Sequence, residues 1–462
     1  MHKLFPSSSF FDFETVRILG TTVYGGAETA EVLEAVGEIK ANDPISWEKA
    51  WAKQAARAEV LAKEACAHGD KDAARRAYLR AANYTRASGY MYVSSPPANG
   101  DTAMIQHPCA LSVSERMGSL FHKAIDLMDC PVQLLSIPYE GHRLPGYLYL
   151  PPESCRIPGR KIPILVNFGG ADSCQEELFF MYPSSGYRQG YAVLTFDGPG
   201  QGVMLRRHGL VMRPNWEIVS ERVIDHLVDF SAKNPNLELD VDSIAVAGAS
   251  MGGYYALRAA ADPRVKACVS IVSSIQASEL HDPYANKVLS SNQDPFFDMW
   301  DFGTAHVSRL FLSAWMNGWM SRDVIDTLMN TLKTFSFQLK WEISVAGTFF
   351  GLSSPSDILL HMKKFSLAGS QQKDGVDYLT RVVCPVLVSG SGNSLYLDVD
   401  EHTKRCYDGL VNVPLENKEM WVPASPGQGS LQAKMGAVAL CGQRSLQFLD
   451  RALGIDRPPV LL

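Results

Sequence analysis

Apolar positions follow two rhythms along the chain. From about Ala27 to Tyr92 they recur every three or four residues among Ala, Glu, Lys and Arg, the period of amphipathic helices. Trp47, Trp51, Ala55 and Val60 read as one helical stripe. After a break at His68-Gly69-Asp70, Ala74, Tyr78, Ala81 and Ala82 read as a second, with Asp70 and Asp72 where an N-cap belongs. Stable solenoids need about three repeats. A single helical hairpin is therefore expected to be a packed lid or dimerisation layer.

The rhythm changes near Pro131. Leu134 to Pro138 and Arg143 to Leu150 resemble a hairpin around Glu140-Gly141-His142. Short, fully apolar runs follow at Ile162–Phe168, Ala192–Phe196, Ile244–Ala247, Ala267–Val272 and Pro385–Val388, with Glu419–Val422 as the last strand. Helical stretches such as Trp216–Ala232 and Gly253–Ala261 separate them. Continuous apolar strands alternating with helices predict a mostly parallel sheet covered on both faces. Between Ser273 and Phe365 the strand rhythm stops and Trp, Phe and Met accumulate, among them Trp300, Trp315, Trp319, Phe335, Trp341, Phe349 and Phe350. The expected organisation is a helical domain over 1–125, an α/β core over 126–272 and 366–462, and an aromatic helical cap over 273–365.

Composition narrows the class. The 462 residues are 46% hydrophobic and 20% charged, a globular balance. With 43 Lys+Arg against 49 Asp+Glu the net charge is −6, which opposes binding to nucleic acid or an anionic membrane. No apolar run approaches the ~18 residues of a membrane span. The start does not read as a signal peptide, and the end carries no common lipid or peroxisomal tag. Nine scattered cysteines without a C-x-x-C pair predict reduced thiols and no zinc site. A cytoplasmic, cofactor-free and metal-free protein is expected, a homodimer that takes a small apolar substrate.

The strongest chemical signal is Ala247-Gly248-Ala249-Ser250-Met251-Gly252-Gly253, a strand, then G-x-S-x-G, then a helix. Small residues two before and two after Ser250 let neighbouring backbones pass a sharp turn that lifts the hydroxyl above the sheet. Met251 would then present its amide at a helix N-terminus, a natural oxyanion donor. A second donor is expected from the loop after Ile162–Phe168, where Gly169-Gly170-Ala171-Asp172-Ser173 leaves backbone open to a ligand; Gly170 and Ala171 are the candidates. Asp172, Trp300 and Trp315 are candidate substrate contacts.

Several motifs together resemble one branch of the α/β-hydrolases. They are Gly-Gly-x-Asp-Ser with Glu176-Glu177, Asp197-Gly-Pro-Gly-Gln-Gly202, Arg213-Pro-x-Trp216-Glu217, the serine motif and Phe350-Gly-Leu-Ser-Ser-Pro355. The branch includes 2,6-dihydroxypseudooxynicotine hydrolase, fermentation-respiration-switch-like proteins and the fungal yellowish-green hydrolases that shorten polyketides. The similarity runs from about Phe11 to Leu453. It implies an α/β-hydrolase fold with a helical N-terminal domain over a pocket, and C–C or ester cleavage by Ser, Asp and His.

The resemblance fails at two positions. The family's acid falls at Asn393, and its histidine at Ser430 or Leu431; the histidine furthest along the chain is His402. Asp→Asn in a triad costs about 10⁴ in turnover. Loss of the histidine costs about 10⁶, leaving about 10³–10⁴ over water. His402 is expected at the surface. His281 and His306 are candidate relocated bases. The reading is an enzyme of fungal secondary metabolism on a degenerate hydrolase scaffold, cyclising a polyketide- or terpenoid-like intermediate by shape and carbonyl hydrogen bonding, as in a Diels–Alder cycloaddition. A serine hydrolase with a relocated base and a non-catalytic binding protein are the alternatives.

Overall fold

A computed structural model describes residues 1–97, 103–271, 315, 317–392 and 399–460. His281, Trp300, His306 and Asn393 lie outside the described residues.

Five helices come first: α1 (Ser9–Leu19), α2 (Thr29–Glu38), α3 (Pro44–Ala67), α4 (Lys71–Ser88) and α5 (Ala110–Ile125). Asp43 caps α3 through the Ile45 and Ser46 amides, with Pro44 at the first helical position. Asp70, not Asp72, caps α4 through the Ala73 amide at 3.0 Å. Trp47 and Trp51 are fully buried, and the Trp47 indole donates to the Ala87 carbonyl at 2.7 Å. Val60 departs from the expected stripe and is 53% exposed. It lies nine residues past Trp51, and at about 100° per residue that is the far side of the helix. Ala58 and Ala62 hold the buried positions instead.

The sheet has eight strands in the order β1-β2-β4-β3-β5-β6-β7-β8. They are β1 (Val132–Tyr139), β2 (His142–Tyr149), β3 (Ile162–Phe168), β4 (Ala192–Phe196), β5 (Leu239–Ala249), β6 (Val265–Ile271), β7 (Val386–Ser389) and β8 (Lys418–Trp421). β1 and β2 form the expected hairpin, whose turn residues Glu140 and Gly141 both take positive φ (41° and 79°), as a two-residue hairpin turn requires. From β4 onward the pairings are parallel. Every residue of β3 and β4 is buried, which explains why both are apolar but for Asn167 and Thr195. The mostly parallel sheet flanked by helices is the predicted fold class.

Two contacts set the site's surroundings. The N-terminal helices share one apolar cluster with Tyr147, Tyr149, Phe179, Phe180 and Trp341, so this layer packs directly on the sheet domain. Within the expected cap, helices Arg322–Leu332, Phe337–Phe350 and Pro355–Met362 place Phe349 and Phe350 in the main core, whereas Trp319 and Phe335 stand more than 80% exposed. Among the described residues no single helix is long and apolar enough to cross a membrane.

Candidate active site

Ser250 sits between β5 and the helix Met251–Ala259 with φ 57° and ψ −126°, a strained conformation for a residue with a side chain. Its amide donates to the Ile271 carbonyl at 2.9 Å. The flanking glycines are sterically required. A Cβ on Gly248 would lie 2.1 Å from the Gly252 carbonyl oxygen, and one on Gly252 would lie 2.4 Å from that of Phe168. Met251 is the first residue of the helix, where amides have no intrahelical acceptor.

The loop after β3 approaches this turn closely. A Cβ built on Gly170 would stand 3.7 Å from the Ser250 Cβ. Gln201 fixes the loop from behind: its amide nitrogen donates to the carbonyls of Gly169 (2.9 Å) and Gly170 (2.8 Å), and its oxygen accepts from the Gly198 amide. Asp197 accepts from the Gln175 and Val203 amides, and any side chain at Gly202 would collide with it. The Asp-Gly-Pro-Gly-Gln-Gly segment thus holds the loop facing Ser250. Trp216 stacks on Tyr255 at 3.6 Å and Glu217 binds Arg258 at 2.8 Å, tying the second motif to the helix that follows Ser250.

A cavity of about 120 Å³ opens over Ser250. Gly170, Ala171, Asp172 and Ser250 line it from the sheet side. Phe10, Phe13, Glu14, Arg17, Thr21 and Tyr90 come from the N-terminal layer, and Trp341, Val345, Ala346 and Phe349 from the helix Phe337–Phe350. Trp341 is anchored by its indole, which donates to the Tyr90 carbonyl at 2.7 Å. Trp315 takes a different place from the one expected: it is buried in the main apolar core and is not among the lining residues.

Asp172 lines the cavity and is held by ion pairing. It accepts from Arg17 Nη1 and from the Tyr90 hydroxyl, each at 2.5 Å. Burial pushes its carboxyl up, but Arg17 and Tyr90 outweigh burial and hold it below the ordinary carboxylate range. Glu177 takes Arg17 in a two-bond fork, both contacts at 2.6 Å. Glu14 is pushed up to about 7, first by burial, against the pull of Arg17.

The loop after β8 occupies the position of the family's histidine. Ser430 is buried, Leu431 is half-buried, and the residues of the loop that reach the cavity are Gln432, Ala433 and Met435. Ala433 and Lys434 both have positive φ (51° and 60°). Lys434 is fully buried, donates to the Gly390 carbonyl just past β7 and lies 4.5 Å from the centre of the Trp421 ring. Burial pulls its amine down to about 7. It bridges the loops after β7 and β8 from outside the cavity lining. No histidine among the described residues lines the cavity. His402, expected at the surface, is buried at 3% exposure along with Thr403 and Cys406, in a turn whose Thr403 packs against Gly390 just past β7.

Sequence reasoning missed Glu14, Arg17, Tyr90 and Asn167. The available signal was a Glu–Arg pair three residues apart inside the apolar helix Ser9–Leu19, where charge has no reason to be unless it is paired.

Comparison with known proteins agrees with this geometry. The family model of FrsA-like esterases matches residues 30–299. Hydrolyase ccsE of Aspergillus clavatus is 63% identical over 99% of each chain. Hydrolase pyiE of Pyricularia grisea is 58% identical over 100% of this chain and 99% of its own. The crystal structure of 2,6-dihydroxy-pseudo-oxynicotine hydrolase superposes with a TM-score of 0.63 at 19% identity, covering 94% of this chain and 95% of that one, a likeness of fold. With similarity of this extent, an elbow serine at Ser250 and a mostly parallel sheet beneath it, the chain belongs to the FrsA-like esterase family of α/β-hydrolases.

Proposed function

We propose that this enzyme cyclises an apolar, carbonyl-bearing polyketide- or terpenoid-like intermediate of fungal secondary metabolism, without hydrolysis. The observation that carries the reading is a complete serine elbow and loop facing an apolar cavity whose described lining contains no histidine. Among the described residues Ser250 then has no histidine base, and Lys434, turned to the Gly390 carbonyl outside the lining, does not supply one. The amides of Met251 and of Gly170 or Ala171 remain as donors to a carbonyl oxygen, each worth about 10²–10³ in rate at an oxyanion site. Holding two ends of a flexible chain in a near-attack geometry removes as much as about 7–11 kcal/mol of barrier. A cycloaddition needs those two contributions and no proton relay.

The second reading, a serine hydrolase of ester or C–C bonds, draws on the hydrolase names of the relatives and on the strained Ser250. It needs a base such as His281 or His306. Metabolite profiling of a producing fungus with the gene deleted separates the two. A cyclase leaves an uncyclised isomer of the product, equal in mass; a hydrolase leaves a precursor that differs by one water or by a cleaved fragment.

Complementation with Ser250→Ala refines the test. Without a base, Ser250 supplies at most one hydrogen bond, about 0.5–1.5 kcal/mol or roughly tenfold in rate. The cyclised product is expected to form at no less than about a tenth of the wild-type rate, whereas loss beyond about 10³-fold identifies Ser250 as an activated nucleophile.

A further inference from the structure

The polar end of the cavity gathers more carboxylates than guanidiniums. Three carboxylates, Glu14, Asp172 and Glu177, meet two guanidiniums, Arg17 and Arg86, with the Tyr90 hydroxyl among them. Glu14 and Arg17 are at most 5% exposed, so water does not screen the surplus negative charge. Glu177 holds the Arg17 fork and receives Arg86 at 3.2 Å. Asp172 takes Arg17 Nη1 and the Tyr90 proton, each at 2.5 Å. Glu14 is the least supported, with Arg17 Nη1 at 3.3 Å and the Tyr90 oxygen at 3.1 Å. Tyr90 has one proton and spends it on the shorter contact to Asp172. Its oxygen also receives Arg17 Nη1 at 3.1 Å, so Glu14 is the carboxyl of the three left with the weakest donors, in keeping with burial pushing it up to about 7.

A second observation points to a polar guest. Asn167, the penultimate residue of β3, lines the same cavity at 1% exposure, and neither its amide nitrogen nor its oxygen has a partner among the described residues. An unpaired buried polar group costs about 1–3 kcal/mol. A guest that offers hydrogen-bonding atoms as well as apolar surface removes that cost.

Resting on the cyclase reading, we propose that Glu14 is the proton-exchanging catalytic residue of this cavity, interconverting the keto and enol forms of an apolar ketone-bearing substrate. In its carboxylate form Glu14 takes a proton from the carbon beside the carbonyl. The C–H electron pair becomes the enol double bond, and the carbonyl π pair moves to oxygen. The protonated Glu14 then returns the proton to that oxygen, or to carbon in reverse. The step is an isomerisation and needs no oxidant or co-reactant. The enol so formed is an electron-rich alkene, the kind of partner a ring closure consumes. Burial first, then Arg17, Asp172, Arg86 and Glu177, set the balance between the two forms of Glu14, which lies near neutrality.

The test uses the full-length protein and α-tetralone, an apolar ketone with one enolisable carbon. In deuterium oxide the wild type is expected to exchange that carbon faster than buffer, with a rate that rises with pH through about 7 as the carboxylate forms. Glu14→Gln keeps the shape of the protonated acid and is expected to lower the exchange by about 10²-fold without loss of ketone affinity. Glu14→Asp is expected to restore part of the rate. Wild-type exchange no faster than buffer at saturating ketone, or equal exchange by Glu14→Gln, overturns the proposal. Exchange involves no ring closure, so the two readings fail separately. If isomer conversion survives but exchange is absent, Glu14 loses its role; if exchange survives but no isomer accumulates on gene deletion, the cyclase reading falls.

Discussion

Asn393→Asp combined with Gln432→His is expected to raise hydrolysis of a simple activated ester by about 10²–10⁴-fold, the range that positioned proton transfer supplies. The elbow, with its strained Ser250, is in place, as is the loop that Gln201 holds at Gly169 and Gly170. On the proposed reading only the base and its orienting acid are missing. Motif matching puts the family histidine at Ser430 or Leu431, but Ser430 is buried and neither lines the cavity, whereas Gln432, the next residue, does. Gln432→His is therefore expected to outperform Leu431→His. Neither single change is expected to suffice: an acid without an imidazole has nothing to orient, and an imidazole whose partner is Asn in place of Asp is held in the wrong tautomer. Esterase rates of the wild type, the singles and the doubles under one assay decide this. A wild type that already matches a competent esterase removes its premise.

Arg17→Met is expected to lower the unfolding free energy by about 3–5 kcal/mol, the usual cost of breaking a buried ion pair from one side. Arg17 is 5% exposed and makes contact with Glu14, Asp172 and Glu177. Its removal leaves three carboxylates facing Arg86. Glu14 and Asp172 then have folded-state pKa values above their unfolded ones, so the stability they retain is present at low pH and lost as pH rises through the raised values. Asp172 changes most, because in the wild type Arg17 and Tyr90 hold it below its ordinary range. The gap between variant and wild type should widen from pH 5 to pH 8 in thermal or urea unfolding. A constant gap of under about 1 kcal/mol would mean that the cluster is open to water and behaves as a surface pair.

The sheet was legible because each buried strand writes its burial locally. Seven consecutive buried residues in β3 give a run that is apolar but for Asn167, and Gly248 and Gly252 mark the sharp turn at Ser250 without reference to the rest of the chain. The cavity was not legible in the same way. Arg17 meets Asp172 across 155 positions, and Tyr90 meets it across 82. Periodicity marks the face of a helix that is buried but does not name its partner. The misreadings have the same root. Val60 looked apolar enough for the stripe yet fell on the wrong side of the helix, and His402 looked polar enough for the surface yet is buried. Trp315 shows that an aromatic in the cap sequence serves the core as readily as a ligand.

The central claim is that Ser250 is shaped as a nucleophile and lacks the base that would make it one. The rate at which a fluorophosphonate labels Ser250 in the wild-type protein measures this directly, with labelling assigned by peptide mass and by its loss in Ser250→Ala. The account predicts labelling slower than that of a triad serine hydrolase by about 10⁴–10⁶-fold, the penalty for losing the triad's acid and histidine. Rapid, stoichiometric labelling of Ser250 would contradict it.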